Sequence, residues 1–234
     1  MTETDRGELE RRIASAPLFA KAGADVWRRL TGIARLRSFA ADELVWRQGD
    51  PASYFVVVQH GLIAIRRASA GGEDALIGIF GAREAIGVPA ALEQGRFLGD
   101  AVVISECATV LQIRAALVLQ ALEHDPQMAM SVNAALLAHT RRLLEKIDVM
   151  SAGPVARRLA SLFLNLSDRF GEEDRSGALL LPIPISRVRL ATLVGARPET
   201  VIRVLATWRR RKLLEDDAGG FRFADRDGLE ALLA

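Results

Sequence analysis

The sequence predicts an α+β chain in three parts: antiparallel β-structure, one long helix, and a C-terminal winged helix-turn-helix. Three textures carry that expectation. From Arg37 to about Gln112 the chain runs through short apolar stretches punctuated by glycine. From Asp125 to about Met150 apolar residues recur with a helical period. Over Ser186–Lys212, SRVRLATLVGARPETVIRVLATWRRRK, two short helical patterns flank a glycine.

Taken in order, residues 8–36 read as helical through Leu9, Ile13, Leu18, Phe19, Val26, Trp27, Leu30 and Ile33, with breaks around Pro17 and Gly23. The strand region follows as ELVWRQGD, YFVVVQHGLIAIRR, ALIGIF, AVVISE and ATVLQI, with corners at Gly49-Asp50, Gly61, Gly71-Gly72, Gly81 and Gly87. Many short strands at this spacing predict a closed or doubly layered antiparallel structure. Asp125-Pro126 then reads as the cap and first position of the long helix. Within it Ala129, Asn133, Leu136, Thr140, Leu143, Ile147 and Met150 follow a 4,3 spacing, the signature of a coiled-coil seam between two copies of the chain. Leu137 and Leu144 are expected to one side, against the β-structure. Ser151-Ala152-Gly153-Pro154 reads as a hinge, and VARRLASLFLNLSDRF (Val155–Phe170) as a further amphipathic helix. An acidic loop (Gly171–Gly177) and the apolar run LLLPIPI lead into the helix-turn-helix, and LLEDDAGGFRF (Leu213–Phe223) is expected to turn at Gly219-Gly220 as a wing. The expected domains are therefore 1–124, 125–152 and 153–234.

Within the helix-turn-helix, Ser186 is the expected N-cap and Leu190, Ala191, Leu193 and Val194 the buried stripe of the first helix. Gly195 can take the left-handed conformation that ends it, and Pro198 suits the first position of the next. In that second helix Val201, Val204, Leu205 and Trp208 share one face, leaving Glu199, Ile202, Arg203 and Ala206 exposed. Such a helix enters a DNA major groove. Eight basic residues (Arg187, Arg189, Arg197, Arg203, Arg209, Arg210, Arg211, Lys212) stand against Glu199 alone in a chain whose net charge is +2, the local excess expected for phosphate contact.

Composition excludes several classes. At 234 residues, half of them hydrophobic, the chain can bury two modest cores. Its start, MTETDRGELERR, has no apolar leader core, and no stretch approaches the ~18 apolar residues of a membrane span. A soluble, cytoplasmic protein with no membrane partner is expected. The single cysteine, Cys107, excludes an intrachain disulfide and a cysteine-only cluster, and reads as a buried, inert thiol in an apolar strand. His60, in a turn, with His124 and His139 offers little to a metal, and GxxxxGK(S/T), GxSxG and HExxH patterns are absent. No catalytic residue, metal site or enzymatic activity is expected. A cupin-like oxygenase, the enzyme class nearest in architecture, would need an HxH pair that the chain lacks.

Phe39, Gly49-Asp50, Gly61, Gly87, the Asp125-Pro126 helix start and above all LATLVGARPETVIRVL resemble the CRP/FNR family of dimeric bacterial transcription regulators. The resemblance implies an N-terminal β-roll like a cyclic-nucleotide-binding domain, a dimerisation helix, and partners that include double-stranded DNA, a second copy of the chain and RNA polymerase. It places Glu199 and Arg203 as the base-reading pair, chemistry that suits a cytosine amino group and a guanine edge. Thr200 matches a phosphate contact, and Ser186, Arg187, Arg189, Arg197, Arg209 and Arg210 complete the expected DNA-binding set. Two positions depart from the pattern: Pro198 replaces another base-reading Arg, and Ile202, which could pack on a thymine methyl, replaces a small residue.

The sensor pocket departs further. The family's cyclic-nucleotide branch holds ribose with Gly-Glu and phosphate with Arg-Ser/Thr. Gly87 is kept, but Val88, Pro89 and Ala90 follow it, Phe97-Leu98 stand at the phosphate position with Arg96 one place early, and Leu143-Leu144 replace the adenine contacts. An anionic nucleotide would leave charge unpaired there, so the usual cyclic-AMP binding is not expected. The oxygen-sensing branch needs N-terminal cysteines, and none is present, so an iron–sulfur cluster is not expected either. Haem, an apolar small molecule, oxidation of Cys107, or a pocket filled by Val88, Phe97, Leu98 and Leu143 with no ligand remain open.

Overall fold

The computed structural model describes residues 3–68, 74–217 and 219–233. The expected Gly71-Gly72 corner lies outside them. Two helices open the chain, α1 (Glu3–Ser15) and α2 (Ala24–Ile33). Eight strands follow: β1 (Arg35–Ala40), β2 (Leu44–Trp46), β3 (Tyr54–His60), β4 (Ile63–Ala68), β5 (Asp74–Phe80), β6 (Ala85–Ile86), β7 (Asp100–Val103) and β8 (Cys107–Arg114), with a short helix α3 (Val88–Leu92) after β6. They form two antiparallel four-stranded sheets, in the orders β1-β8-β3-β6 and β2-β7-β4-β5. This is the β-roll, a doubly layered antiparallel structure. Strand β1 begins where a helix was expected: Ala34 is already extended, and Arg35 pairs with Gln112.

The helices α4 (Ala115–Leu122) and α5 (Pro126–Ser151) come next. Phe19, Phe55, Ile63, Ile86, Leu111 and Ile113 are fully buried in one core that α1, α2 and α4 share with both sheets. Asp125 ties this arrangement together. One carboxylate oxygen accepts the Gln127 and Met128 N–H groups at 3.0 and 3.1 Å, capping α5, while the other accepts the Gly23 N–H at 2.7 Å at the head of α2. The Gly23 bond, with those of Met128 and Gln127, holds the carboxyl below its ordinary range.

The rest comprises α6 (Val155–Phe170), β9 (Glu172–Glu173), β10 (Leu179–Leu181), α7 (Arg187–Val194), α8 (Pro198–Arg210), β11 (Leu214–Asp217), β12 (Gly220–Phe223) and α9 (Arg226–Glu230). Its strands form a third sheet, β11-β12-β10-β9. Asp217 pairs with Gly220, so the wing turns one residue earlier than the two glycines suggested, and Gly220 is a strand residue. A side chain at Gly220 would collide with the Leu181 carbonyl, which is why glycine stands there.

The chain divides into two compact units, Met1–Arg67 with Ile79–Arg141 and Ala68–Gly78 with Arg142–Ala234. The division falls inside α5, not at Gly153. Three expectations for side chains are corrected. Leu136, placed in the dimer seam, packs on the β-roll core, whereas Leu137 and Leu144, expected against the β-structure, are 61% and 54% exposed. Met130, Leu137 and Leu144 are thus exposed, as are Asn133, Thr140, Leu143, Ile147 and Met150 of the expected seam. Cys107 is exposed: it starts β8 in the outward phase, and the inward positions belong to Ala108 and Val110. His60 ends strand β3 and does not lie in a turn.

Candidate nucleic-acid interface

The helix-turn-helix is built as its residues dictate. Ser186 is extended and its hydroxyl accepts the Arg189 N–H, capping α7. Leu190, Ala191, Leu193 and Val194 are buried. Gly195 ends α7 at φ +59°, and the Ala196 N–H reaches back to the Ala191 carbonyl at 2.9 Å, a left-handed C-terminal turn. Pro198 then opens α8, with the Thr200 and Val201 N–H groups bonded to the Arg197 carbonyl. Phe163 of α6 is the hub beneath. Its ring lies 6.2 Å from Trp208 of α8 and 4.9 and 5.0 Å from Phe221 and Phe223 of the wing. One aromatic cluster thus locks helix and wing into a single body.

Three carbonyls left open at the end of α7 are met by cations. Lys146 of α5 donates to the Leu193 carbonyl. Arg158 of α6 donates through Nη1 to Val194 at 2.8 Å and Gly195 at 3.2 Å, and through Nε to Gly153 at 2.8 Å. Positive charge at a helix C-terminus is favoured by its dipole. Burial holds the Lys146 amine below its ordinary range. Neither residue carries a signal in the sequence, because their partners lie 47 and 36 positions away.

On α8 the buried residues are Val201, Leu205 and Trp208, with Val204 half-buried; Glu199, Ile202 and Arg203 are exposed. Neither Glu199 nor Arg203 spends its side chain on an ion pair with a described residue, so the internal i,i+4 pair that their spacing permits is not formed. Arg197 is exposed at the N-cap, and Thr200 and Arg189 are half-buried. Arg210 donates to the Thr207 hydroxyl at 3.0 Å.

Two of the expected DNA ligands are otherwise engaged. Arg187 and Arg209 converge on Asp216 of the wing, Arg209 at 2.7 Å, and the Arg187 guanidinium also lies 5.0 Å from the centre of the Phe221 ring. Burial pushes the Asp216 carboxyl up, but the two guanidiniums outweigh it and leave the group below its ordinary range. Asp216 had no sequence signal beyond its place in an acidic run.

In the β-roll, Gly87 sits at φ +69° ahead of α3, where a side chain would come within 2.6 Å of the Phe97 ring and 3.4 Å of Trp46. Phe97 stacks on Trp46 with ring centres 4.0 Å apart, and the Trp46 indole N–H donates to the Gly99 carbonyl at 2.9 Å. Val88 and Ala90 are buried and Pro89 half-buried. Arg96 is exposed and donates to the Gly49 carbonyl at 2.6 Å. Leu98 is 69% exposed and does not fill the roll, since it alternates outward next to inward-facing Phe97. Leu143 and Leu144 belong to the second unit and are exposed. Among the described residues no group of three His, Cys, Asp or Glu could hold a metal ion, and no helix is long and apolar enough to cross a membrane.

Comparison with known proteins matches residues 157–232 to the Crp-like helix-turn-helix domain and residues 36–125 to the cyclic nucleotide-binding domain. A CRP-like cAMP-activated global transcriptional regulator of Mycobacterium tuberculosis is 24% identical over 221 residues, covering 94% of this chain and 98% of its own. The transcriptional activator protein FnrA of Stutzerimonas stutzeri is 26% identical over 200 residues, 86% of this chain and 81% of its own. The structure of FixK2 from Bradyrhizobium japonicum superposes with a TM-score of 0.74 at 21% identity, over 86% of this chain and 98% of that one.

Proposed function

The chain belongs to the CRP/FNR family of DNA-binding transcription regulators and is not an enzyme, and on that premise we propose that it acts as a homodimer reading a roughly palindromic operator. The observation that carries this is the exposed face of α8, where Ile202 stands in solvent beside Glu199 and Arg203, neither ion-paired with a described residue, on a helix braced from behind by Phe163. Arg203 reads a guanine edge, Glu199 accepts from a cytosine amino group and Ile202 packs on a thymine methyl. Arg197, Thr200 and the positive end of α8 meet phosphate.

The partner copy docks on α5. Met130, Leu137 and Leu144 recur every seven residues, and Asn133, Thr140 and Ile147 fall between them in the 4,3 rhythm of a two-stranded seam, flanked by Leu143 and Met150. Two-fold symmetry then sets half-sites about one helical turn, ~34 Å, apart. The DNA-bound dimer contacts RNA polymerase in the cytoplasm.

The β-roll does not hold cyclic AMP in the way its fold permits. The M. tuberculosis relative is cAMP-activated, but in this chain apolar Val88, Pro89 and Ala90 follow Gly87, and Phe97 and Trp46 occupy the space above it. The same stack supports a second reading, a regulator competent for DNA without any ligand. Selection of DNA from a random library by the purified protein, without additive, tests all three points. Enrichment of a palindrome from a colourless sample is expected. A single, non-repeated site would refute the dimer, and a haem absorption band or dependence on added cyclic AMP would refute the ligand-free reading.

A further inference from the structure

Asp216 stands on the wing beside the face that α8 turns to DNA. Arg209 lies seven residues after Ile202, two turns further along that face, and Arg187 opens α7. Both guanidiniums end on the one carboxylate, at side-chain exposures of 29% for Arg187, 35% for Arg209 and 47% for Asp216. The Arg187 plane is also held over Phe221. Ion pairs this exposed add little to stability. Their larger consequence is electrostatic, because each guanidinium withheld from phosphate releases one counterion fewer when the protein meets DNA. A cation on phosphate carries no sequence information. Such contacts supply essentially all of the affinity for a non-specific duplex, where the protein is free to shift register until they form, but only part of the affinity for an operator, where base contacts fix the register. The rest of β11 agrees: Glu215 pairs with Arg222, so the strand offers acid where a DNA-grasping wing would offer base.

We infer that Asp216 is a specificity-determining residue, which holds Arg187 and Arg209 away from the DNA backbone and so suppresses sequence-independent binding. The inference rests on the proposed presentation of α8 to DNA. It also reassigns the two arginines from DNA ligands to wing anchors, leaving discrimination to Glu199, Ile202 and Arg203.

The test is fluorescence anisotropy of full-length wild type, Asp216→Asn and Asp216→Glu on the selected operator and on a scrambled duplex, between 50 and 200 mM salt. Asp216→Asn frees up to two cations, so the slope of log affinity against log salt should steepen by up to about 1.8, an extra loss of about tenfold over that range. Binding to the scrambled duplex should rise more than binding to the operator, and Asp216→Glu should restore the wild-type slope. Arg187→Ala and Arg209→Ala, with Asp216 present, should leave the slope unchanged.

Two results would overturn the inference. An unchanged slope in a folded Asp216→Asn protein would make the carboxylate structural only. A slope shallower by about 0.9 in either arginine variant would show that arginine already on phosphate. Wild type that bound neither duplex at low salt would instead sink the regulator reading, and this inference with it.

Discussion

Replacing Arg158 with alanine should loosen the turn that delivers the recognition helix. The guanidinium makes three hydrogen bonds, to Gly153, Val194 and Gly195, but water can replace those to the exposed Gly153 and Gly195 carbonyls. The bond to Val194, 2.8 Å and half-buried, counts nearly in full. A hydrogen bond to a charged group contributes about 1.5–3 kcal/mol, and charge at a helix C-terminus about 0.3–1 kcal/mol, so a local loss near 2 kcal/mol is expected. Hydrogen exchange measures it directly. The Gly195 and Ala196 amides, both bonded to the Ala191 carbonyl, should exchange about thirtyfold faster, since 1.36 kcal/mol is a factor of ten. Amides of β3 should keep their rates, and operator affinity should fall because α8 starts only three residues beyond Gly195. Unchanged exchange at Gly195 and Ala196 would refute the clamp. Equal acceleration throughout residues 155–233 would show that Arg158 supports the whole unit and not this turn.

Arg203→Ala should cost about 1–3 kcal/mol of operator affinity and relax discrimination at one base pair per half-site; a uniform loss on every sequence, in the same anisotropy assay, would make Arg203 a phosphate contact. Leu144→Glu should shift the sedimentation profile from dimer to monomer, and no shift would remove α5 from the interface. Asp125→Ala should lose about 0.5–2 kcal/mol, read by denaturant melting of the β-roll unit. Because the Asp125 carboxyl is depressed in the fold, its contribution is complete above the unfolded value near 4 and fades as pH falls through the folded one. The variant should therefore show a flatter acid limb than wild type.

Where local chemistry decided the structure, the sequence was a sufficient guide. Ser186, Gly195 and Pro198 each act on their own backbone, so α7, its turn and the start of α8 could be read from residue type. The strands β3, β4, β7 and β8 followed from their apolar runs. Legibility stopped where partners are distant. Nothing in WRRRK or LLEDD says that Arg209 and Arg187 meet on Asp216, 29 residues from Arg187. Which apolar side chains of α5 face solvent is not legible either, because apolar periodicity on that helix is two-sided, and only packing shows Leu136 on the roll and Leu137 in solvent. Cys107 was misplaced for a related reason: an apolar strand at a sheet corner buries alternate residues, and which alternate is set by pairing with Ala40.

The stack of Phe97 on Trp46 also gives the molecule an optical gauge. An indole 4.0 Å from a second ring, with its N–H committed to Gly99, has an emission that depends on that packing. Trp208 lies against Phe163 in the other unit. With Trp27→Phe, one indole would remain in each unit, and each would report on its own. Any compound that enters above Gly87 must displace Phe97 and change the colour or intensity of Trp46, whatever that compound is. Screening by the light of Trp46 thus works before any effector has been identified, with no operator in the cuvette.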